Sequence, residues 1–132
     1  MSKPKHPMKE VACKYCGVIT IKRDLKSTKP YCTPCNARRN KLQKDYNMTL
    51  EEFDDMMEQQ NNCCKICNKL VHRSTNNGNN KTVYANTAVV DHCHSTDKVR
   101  GILCSNCNFA IGKLHDSPGF ALSCYYYLKE NI

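Results

Sequence analysis

Three residues of the 132-residue chain combine ligands for a hard cation with a proton acceptor: Asp91, His92 and Asn108. A carboxylate and an amide oxygen suit Mg²⁺ or Mn²⁺. An imidazole that is neutral near pH 7 can take a proton from water. A cation on a phosphate, with a base and a water molecule opposite it, hydrolyses phosphodiester bonds. These residues therefore predict a metal-dependent hydrolytic site.

Eight of the eleven cysteines form four Cys-x-x-Cys pairs, which predict two structural zinc sites. Two residues between thiols let a tight turn aim both sulfurs at one ion, and two such turns complete a tetrahedron. The N-terminal site comprises Cys13, Cys16, Cys32 and Cys35, and the second comprises Cys64, Cys67, Cys104 and Cys107. An odd cysteine total and this pairing argue against a secreted disulfide framework, so we expect a reducing, cytoplasmic location.

The chain around the second zinc site has to position the three chemical residues. Residues 83–90 are β-prone and end at Asp91 and His92, and residues 99–103 predict a second strand of a hairpin. A helix is expected from Asn108 to residue 114, directly after the last cysteine of the site. One zinc ion would thus pin a β-hairpin to a helix and hold Asp91, His92 and Asn108 together.

Three further helices are expected. Residues 37–47 lack Gly and Pro and suit a short basic helix. Thr49 and Glu52 form a capping box for a second helix, whose apolar residues at helical spacing predict core packing; these are Leu50, Phe53 and Met57. Ser117 and Pro118 predict the start of a last helix. Four of its residues are expected to pack onto the body: Leu122, Tyr125, Tyr126 and Leu128.

Positive charge is concentrated in the first part of the chain. The net charge is +8, and residues 1–50 carry twelve Lys and Arg against three Asp and Glu. A basic half predicts nucleic acid as partner, although a merely solubilising surface remains an alternative for charge alone. The residues expected to contact the nucleic acid lie in the 37–47 helix: Arg38, Arg39, Lys41 and Lys44.

These observations divide the chain into three parts. Residues 1–11 are expected to be an unstructured basic tail, residues 12–47 a four-cysteine zinc module with its basic helix, and residues 48–132 a second, hydrolytic module. The first residues contain no apolar stretch typical of a signal peptide, and no run of about 18 apolar residues predicts a membrane span.

The second module resembles the recombination endonuclease VII family of phages, within the HNH or ββα-metal nucleases. The resemblance covers about residues 46–130 and lies in the order and spacing of short motifs. They are Leu50-Glu-Glu-Phe53, Cys64-Lys-Ile-Cys67, Val90-Asp-His-Cys-His94, Val99-Arg-Gly-Ile-Leu-Cys104, Ser105-Asn-Cys-Asn108 through Ile111-Gly112, and the acidic residue before Ser117-Pro118.

The resemblance implies a treble-clef-like ββα-metal module; together with the N-terminal zinc module and the flanking helices, we expect a small, zinc-stabilised α+β fold. It implies that Asp91 and Asn108 hold the catalytic divalent ion and that His92 is the general base. It further implies that His94 contacts the scissile phosphate or leaving group, with Arg100 as a phosphate clamp. The substrate would be DNA, branched or nicked duplex included, and a homodimer is implied because resolving a junction needs two symmetric cuts.

Two features differ from the family pattern. Cys93 stands where family members often have an acidic residue, and the N-terminal four-cysteine module is additional. A second class of function therefore stays open, a non-enzymatic double zinc-ribbon adaptor that binds DNA or protein. The intact set of Asp91, His92 and Asn108 favours the enzyme, because an adaptor does not require it.

Overall fold

The computed structural model describes residues 8–23, 30–73 and 85–132, which form two β-hairpins and four α-helices. Residues 1–7 of the expected tail and residues 83–84 of the expected β-prone segment lie outside the described residues. In the first hairpin, β1 (Met8–Ala12) pairs antiparallel with β2 (Ile19–Arg23). The prediction of an unstructured tail is thus wrong for residues 8–11, because β-branched residues such as Val11 and Ile21 favour a strand pair.

The first Cys-x-x-Cys turn joins these two strands. Gly17 has φ of 72°, a conformation that favours glycine, and its N–H donates to the carbonyl of Cys13 at 2.9 Å. The N–H of Cys13 in turn donates to the carbonyl of Val18 at 2.9 Å. The turn therefore reverses the chain at the first pair of cysteines, Cys13 and Cys16.

Helix α1 (Thr33–Tyr46) is longer than the predicted 37–47 helix and begins inside the second Cys-x-x-Cys pair. Pro34 lies in its first turn, where the missing N–H costs nothing because no helical acceptor precedes it. Asn47, with φ of 51°, is the C-cap of the helix. The N–H of Met48 donates to the carbonyl of Leu42 at 3.2 Å and completes the last turn.

Helix α2 (Leu50–Gln59) confirms the predicted capping box. The N–H of Glu52 donates to Thr49 Oγ1 at 3.1 Å, and the N–H of Thr49 donates to Glu52 Oε2 at 2.8 Å. Leu50, Phe53 and Met57 are buried, as their spacing predicts. The helix therefore lays one apolar face on the core of the second module.

The second module continues as a hairpin followed directly by a helix. Strand β3 (Ala88–His92) pairs antiparallel with β4 (Val99–Cys104), and α3 (Ser105–Lys113) starts at the next residue. α3 begins three residues before the predicted start because Cys104 caps it, its Sγ accepting the N–H of Cys107 at 3.4 Å. Helix α4 (Pro118–Glu130) starts as predicted, with Ser117 Oγ accepting the N–H of Phe120 at 3.1 Å.

The main core joins α1, α2, the turn that carries Cys64 and the β3–β4 hairpin. Leu50 and Ile102 are almost completely buried within it. The side-chain amide of Gln60 bonds both the N–H and the carbonyl of Ile102, at 2.9 and 2.8 Å. This amide satisfies two buried backbone groups and ties the end of α2 to β4.

A polar network joins the N-terminal hairpin to this core. The Tyr15 hydroxyl donates to the Asp54 carboxylate, and the Arg73 guanidinium contacts both of them. Tyr15 and Tyr31 pack both against the buried cysteines of the N-terminal group and against the main core. The two modules are therefore in contact through Tyr15, which lies in the first Cys-x-x-Cys turn.

Helix α4 does not pack onto the body as predicted. Leu122, Tyr125, Tyr126 and Leu128 are each more than half exposed, and no residue of α4 is buried. Apolar residues occur on several faces of the helix instead of in one stripe. None of them belongs to the main core or packs against it. The prediction was wrong because composition alone does not say whether an apolar helix faces its own core.

Candidate active site

The eight paired cysteines form two groups that could each hold a zinc ion. In both groups, the four sulfurs lie within 4.8 Å of one another. The Sγ atoms of Cys16 and Cys32 are 3.6 Å apart, and those of Cys67 and Cys104 are 3.8 Å apart. Zinc–sulfur bonds of about 2.3 Å in a tetrahedron place sulfurs about 3.8 Å apart, so the spacing fits zinc.

The pKa values of two thiols in the second group also fit a cation there. Burial raises the pKa of Cys64, but backbone N–H groups of Cys67 and Cys104 outweigh it and bring the pKa to about 6. Burial and the neighbouring sulfurs of the group raise the pKa of Cys107 to about 12. One sulfur is thus readily ionised while another resists ionisation, and a divalent cation removes that conflict.

The second cysteine group ties together the elements that carry the chemical residues. Cys64 and Cys67 come from the turn after α2, Cys104 is the last residue of β4, and Cys107 lies in the first turn of α3. Asp91 and His92 end β3, next to β4 in the same hairpin. The expected arrangement, a hairpin and a helix joined at one four-cysteine group, is the one observed.

These elements form an open cleft of about 380 Å³. Asp91, His92, His94 and Asn108 all line it, so the structure brings together four of the five residues predicted for the site. Asp91 is the one buried charged residue in the described ranges, with 7% of its surface exposed. The remaining lining residues include Tyr46, Phe109, Lys113 and Asp116.

Arg100, the fifth predicted residue, is bound to Asp91. Its Nε donates to Asp91 Oδ2 at 2.7 Å, and its Nη2 donates to Asp91 Oδ1 at 2.8 Å. A bulge between Asp91 and His92 makes Arg100 an extra residue of β4, because Asp91 faces Gly101 and His92 faces Val99. Bulges of this kind redirect a side chain, and here Arg100 is placed on the Asp91 carboxylate.

Asp116 was not predicted as a site residue, although it is the acidic residue of the motif before Ser117. Its Oδ2 lies 2.5 Å from His94 Nδ1, and its Oδ1 accepts from Arg100 Nη2 at 3.1 Å. Hydrogen bonds from His94 and Arg100 lower the pKa of Asp116, so the carboxylate is ionised at neutral pH. The two carboxylates, Asp91 first, raise the pKa of Arg100, which keeps the guanidinium charged.

Tyr46 is a second residue that the sequence did not single out. Its ring meets the His92 imidazole edge to face, with ring centroids 5.5 Å apart, and the His92 and His94 rings are 4.9 Å apart. Tyr46 is the last residue of α1, so this helix reaches the cleft. The sequence does place an aromatic residue at the end of a basic helix, but this pattern does not indicate which side chain the ring contacts.

The basic residues predicted to contact DNA lie on α1. Arg39 stacks on the Tyr31 ring at 5.3 Å, and Lys41 is paired with Asp45 at 2.6 Å. Arg38 and Lys44 lie on the same helix, which begins at the N-terminal cysteine group and ends beside His92. The helix thus carries positive charge from one module to the cleft of the other.

Cys93 lies between the two histidines in the β3–β4 turn. Its Sγ is 3.1 Å from Ser95 Oγ, and hydrogen bonds from Ser95 and Thr96 lower the pKa of the thiol to about 6. It belongs to neither four-sulfur group. The thiol therefore lies beside the cleft and outside both cysteine groups.

The fold and site define a small α+β protein with two cysteine groups able to bind zinc. Residues 39–130 match the family model of recombination endonuclease VII, and the chain belongs to that family. This confirms the resemblance found in the sequence and indicates a nuclease that acts on DNA. Comparison with curated proteins and with solved structures gave no significant match. Among the described helices, none has the length and apolar composition needed to cross a membrane.

Proposed function

We propose that the chain is a metal-dependent DNA endonuclease of the HNH, or ββα-metal, type, with its active site in the cleft beside β3 and α3. The observation that carries the proposal is that Asp91, His92, His94 and Asn108 line one cleft. The strand order also supports it, since the β3–β4 hairpin runs directly into α3 at the second cysteine group.

Asp91 and Asn108 are the residues that would hold the catalytic ion. Both belong to the same cleft, and Asp91 is buried there beside a cation, the Arg100 guanidinium. Arg100 meets the need of this buried carboxylate for a positive partner, and a divalent cation would meet the same need. When bound, Mg²⁺ or Mn²⁺ supplies charge stabilisation at the phosphate and at the leaving oxygen.

In this proposal, the histidines of the cleft carry out the proton transfers. His92 accepts the proton of the attacking water, and the Tyr46 ring limits its rotation from one side. His94 packs beside His92 and is itself exposed, so a phosphate or leaving group can reach it. Arg100 does not itself line the cleft, but it is bound to Asp91, which does, and in this proposal its guanidinium adds positive charge beside the phosphate.

DNA would lie along α1 and across the cleft. Arg38, Arg39, Lys41 and Lys44 provide charge for the phosphate backbone, and such contacts do not read sequence. We therefore propose weakly sequence-specific or structure-selective cutting of branched or nicked duplex. Equal cleavage rates on a four-way junction and on its matched linear duplex would contradict structure selectivity.

The exposed helix α4 supports a homodimer. Its Phe120, Tyr127 and Leu128 form part of an apolar groove, and these side chains are about half exposed or more. Two active sites in one particle would allow symmetric cuts in opposite strands. Sedimentation analysis should give a dimer for the wild type and a monomer for Tyr127→Lys, and a wild-type monomer at all concentrations would contradict the proposal.

A plasmid-nicking assay tests the catalytic proposal, using zinc-loaded protein with added Mg²⁺, added Mn²⁺ or neither. We expect nicking only with a divalent ion, and a rate about 100- to 10,000-fold lower for His92→Ala, the usual contribution of a general base. His72→Ala is the matched control, because His72 is exposed and does not line the cleft.

The possible outcomes separate enzyme from adaptor. Full cleavage by His92→Ala would contradict the role of this histidine as general base. DNA binding by the wild type without nicking under any condition would contradict the endonuclease and support the non-enzymatic zinc-ribbon adaptor.

A further inference from the structure

We propose that Asp116 is a positioning residue of this active site, which orients His94 and shares Arg100 with Asp91. The inference rests on the proposed function, since it assigns a residue to the same cleft. Asp116 lies between α3 and α4, outside the β3–β4 hairpin, yet its carboxylate contacts two side chains of that hairpin.

The backbone holds Asp116 in place from both sides. His115 and Asp116 have φ of 55° and 53°, a left-handed conformation that His and Asp tolerate better than most residues. The N–H of Asp116 donates to the carbonyl of Ile111 at 3.1 Å, and that of Ser117 donates to the carbonyl of Leu114 at 3.0 Å. With Ser117 capping α4, the loop between the helices is bonded at each end.

The contact with His94 determines how this imidazole is presented. The His94 side chain is 71% exposed, so packing restricts it little, and Asp116 at 2.5 Å from Nδ1 is its described hydrogen-bond partner. A carboxylate at Nδ1 favours the tautomer that carries its proton there. This leaves Nε2 for the substrate: once the ring is protonated, Nε2–H donates to an oxygen of the phosphate or leaving group while Nδ1–H stays on Asp116.

The contact with Arg100 distributes the charge of the guanidinium between two acids. Nη2 of Arg100 bonds Asp91 Oδ1 at 2.8 Å and Asp116 Oδ1 at 3.1 Å. A second carboxylate offsets part of the positive charge that Arg100 presents to Asp91. Asp116 should therefore strengthen divalent-ion binding at Asp91, because Arg100 competes less for that carboxylate.

The test compares Asp116→Asn with Asp97→Asn. Asp97 is also an aspartate with a left-handed backbone, φ of 55°, in the β3–β4 turn, and it does not line the cleft. We expect Asp116→Asn to lower kcat about 10- to 100-fold with a smaller change in KM, as for other residues that orient a ligand or base. We expect wild-type kinetics from Asp97→Asn.

Two measurements do not depend on cleavage. Nitrogen NMR of the wild type, at a pH where His94 is neutral, should show the proton on Nδ1, and Asp116→Asn should shift the population toward Nε2. Calorimetric titration with Mn²⁺ should show weaker binding by Asp116→Asn than by Asp97→Asn.

A proton on Nε2 of His94 in the wild type would overturn the proposal, even if no Asp116 variant folds. Unchanged kcat and Mn²⁺ affinity in a folded Asp116→Asn variant would overturn it as well. If the wild type cleaves no DNA, the proposed function fails, while the NMR result still decides whether Asp116 orients His94.

Discussion

Arg100 holds the buried Asp91 carboxylate through two hydrogen bonds, and in our proposal this pairing governs how the site responds to a divalent cation. The carboxylate is almost fully buried, whereas the guanidinium is one-third exposed and also reaches Asp116. A buried carboxylate without a partner loses its solvation with nothing to replace it. Arg100 therefore stabilises the fold and competes for the same oxygen atoms that a cation needs.

Replacing Arg100 by Ala separates these two effects. Without divalent ions, we expect the free energy of unfolding to fall by about 1–3 kcal/mol, because Asp91 keeps its burial and loses two hydrogen bonds. Mg²⁺ should then stabilise Arg100→Ala more than it stabilises the wild type, since no guanidinium competes with the ion.

Urea unfolding followed by circular dichroism, with and without Mg²⁺, measures both quantities. Lys98→Ala is the control, an exposed cation of the same hairpin that is not part of the Asp91 pair. If Mg²⁺ stabilised Arg100→Ala and the wild type equally, the competition between Arg100 and the cation would be disproved.

At the scale of elements, α1 is the connection between the two modules. It starts at the N-terminal cysteine group, contributes Leu42 to the main core, and ends with Tyr46 against His92. A helix fixed at three points is a rigid support for its basic residues. DNA held on α1 would therefore be aligned with the cleft instead of being loosely tethered.

Removing positive charge from α1 should weaken DNA binding without changing the chemistry. For Arg39→Gln and Lys44→Gln, we expect the slope of log affinity against log salt to fall by about 1 for each DNA phosphate that no longer meets a cationic side chain. The rate of cleavage at saturating DNA should stay the same. Fluorescence anisotropy over a range of salt concentrations measures the slope.

Lys129→Gln is the matched control for this series, because it removes one positive charge from α4 instead of α1. An equal decrease of the slope in all three variants would show that total charge matters and that α1 is not a specific DNA surface.

At the scale of the whole molecule, the two cysteine groups support parts of the fold that differ in size. Cys64 and Cys104 belong to the main core, whereas the N-terminal group forms a small cluster of its own with Tyr15 and Tyr31. The second cysteine group therefore supports a large part of the fold, whereas the N-terminal group supports a hairpin.

Substituting one ligand of each group should reveal this difference. We expect Cys104→Ser to lose one zinc ion per chain, lose the near-UV signal of the folded core and abolish cleavage. Cys16→Ser should also lose one zinc ion but keep the β3–β4 hairpin and part of its activity, with weaker DNA binding.

Native mass spectrometry counts the zinc ions, two being expected for the wild type, and circular dichroism reports the fold. A Cys104→Ser variant with a wild-type spectrum would contradict a structural role for the second site. Complete unfolding of Cys16→Ser would show instead that the modules fold as one unit.

The features that the sequence predicted well are local. The capping box of α2, the start of α4 at Ser117 and the cysteine pairs depend on neighbours within a few residues, so spacing alone indicates them. The placement of Asp91 and His92 at the end of β3 follows from the same kind of pattern. The family was recognised because several such local motifs stand in a fixed order.

Tertiary structure alone decided the contacts that join distant segments. Asp116 reaches His94 and Arg100, and Tyr46 reaches His92, because α1 and the loop between α3 and α4 pack around one hairpin. The bulge that directs Arg100 to Asp91, and the exposure of α4, also depend on how whole elements meet. By itself, the sequence determined the four-cysteine pattern, the four helices, the second hairpin and the candidate chemistry, but not the N-terminal hairpin. It did not determine which side chains share the cleft, because that depends on long-range packing that no short motif encodes.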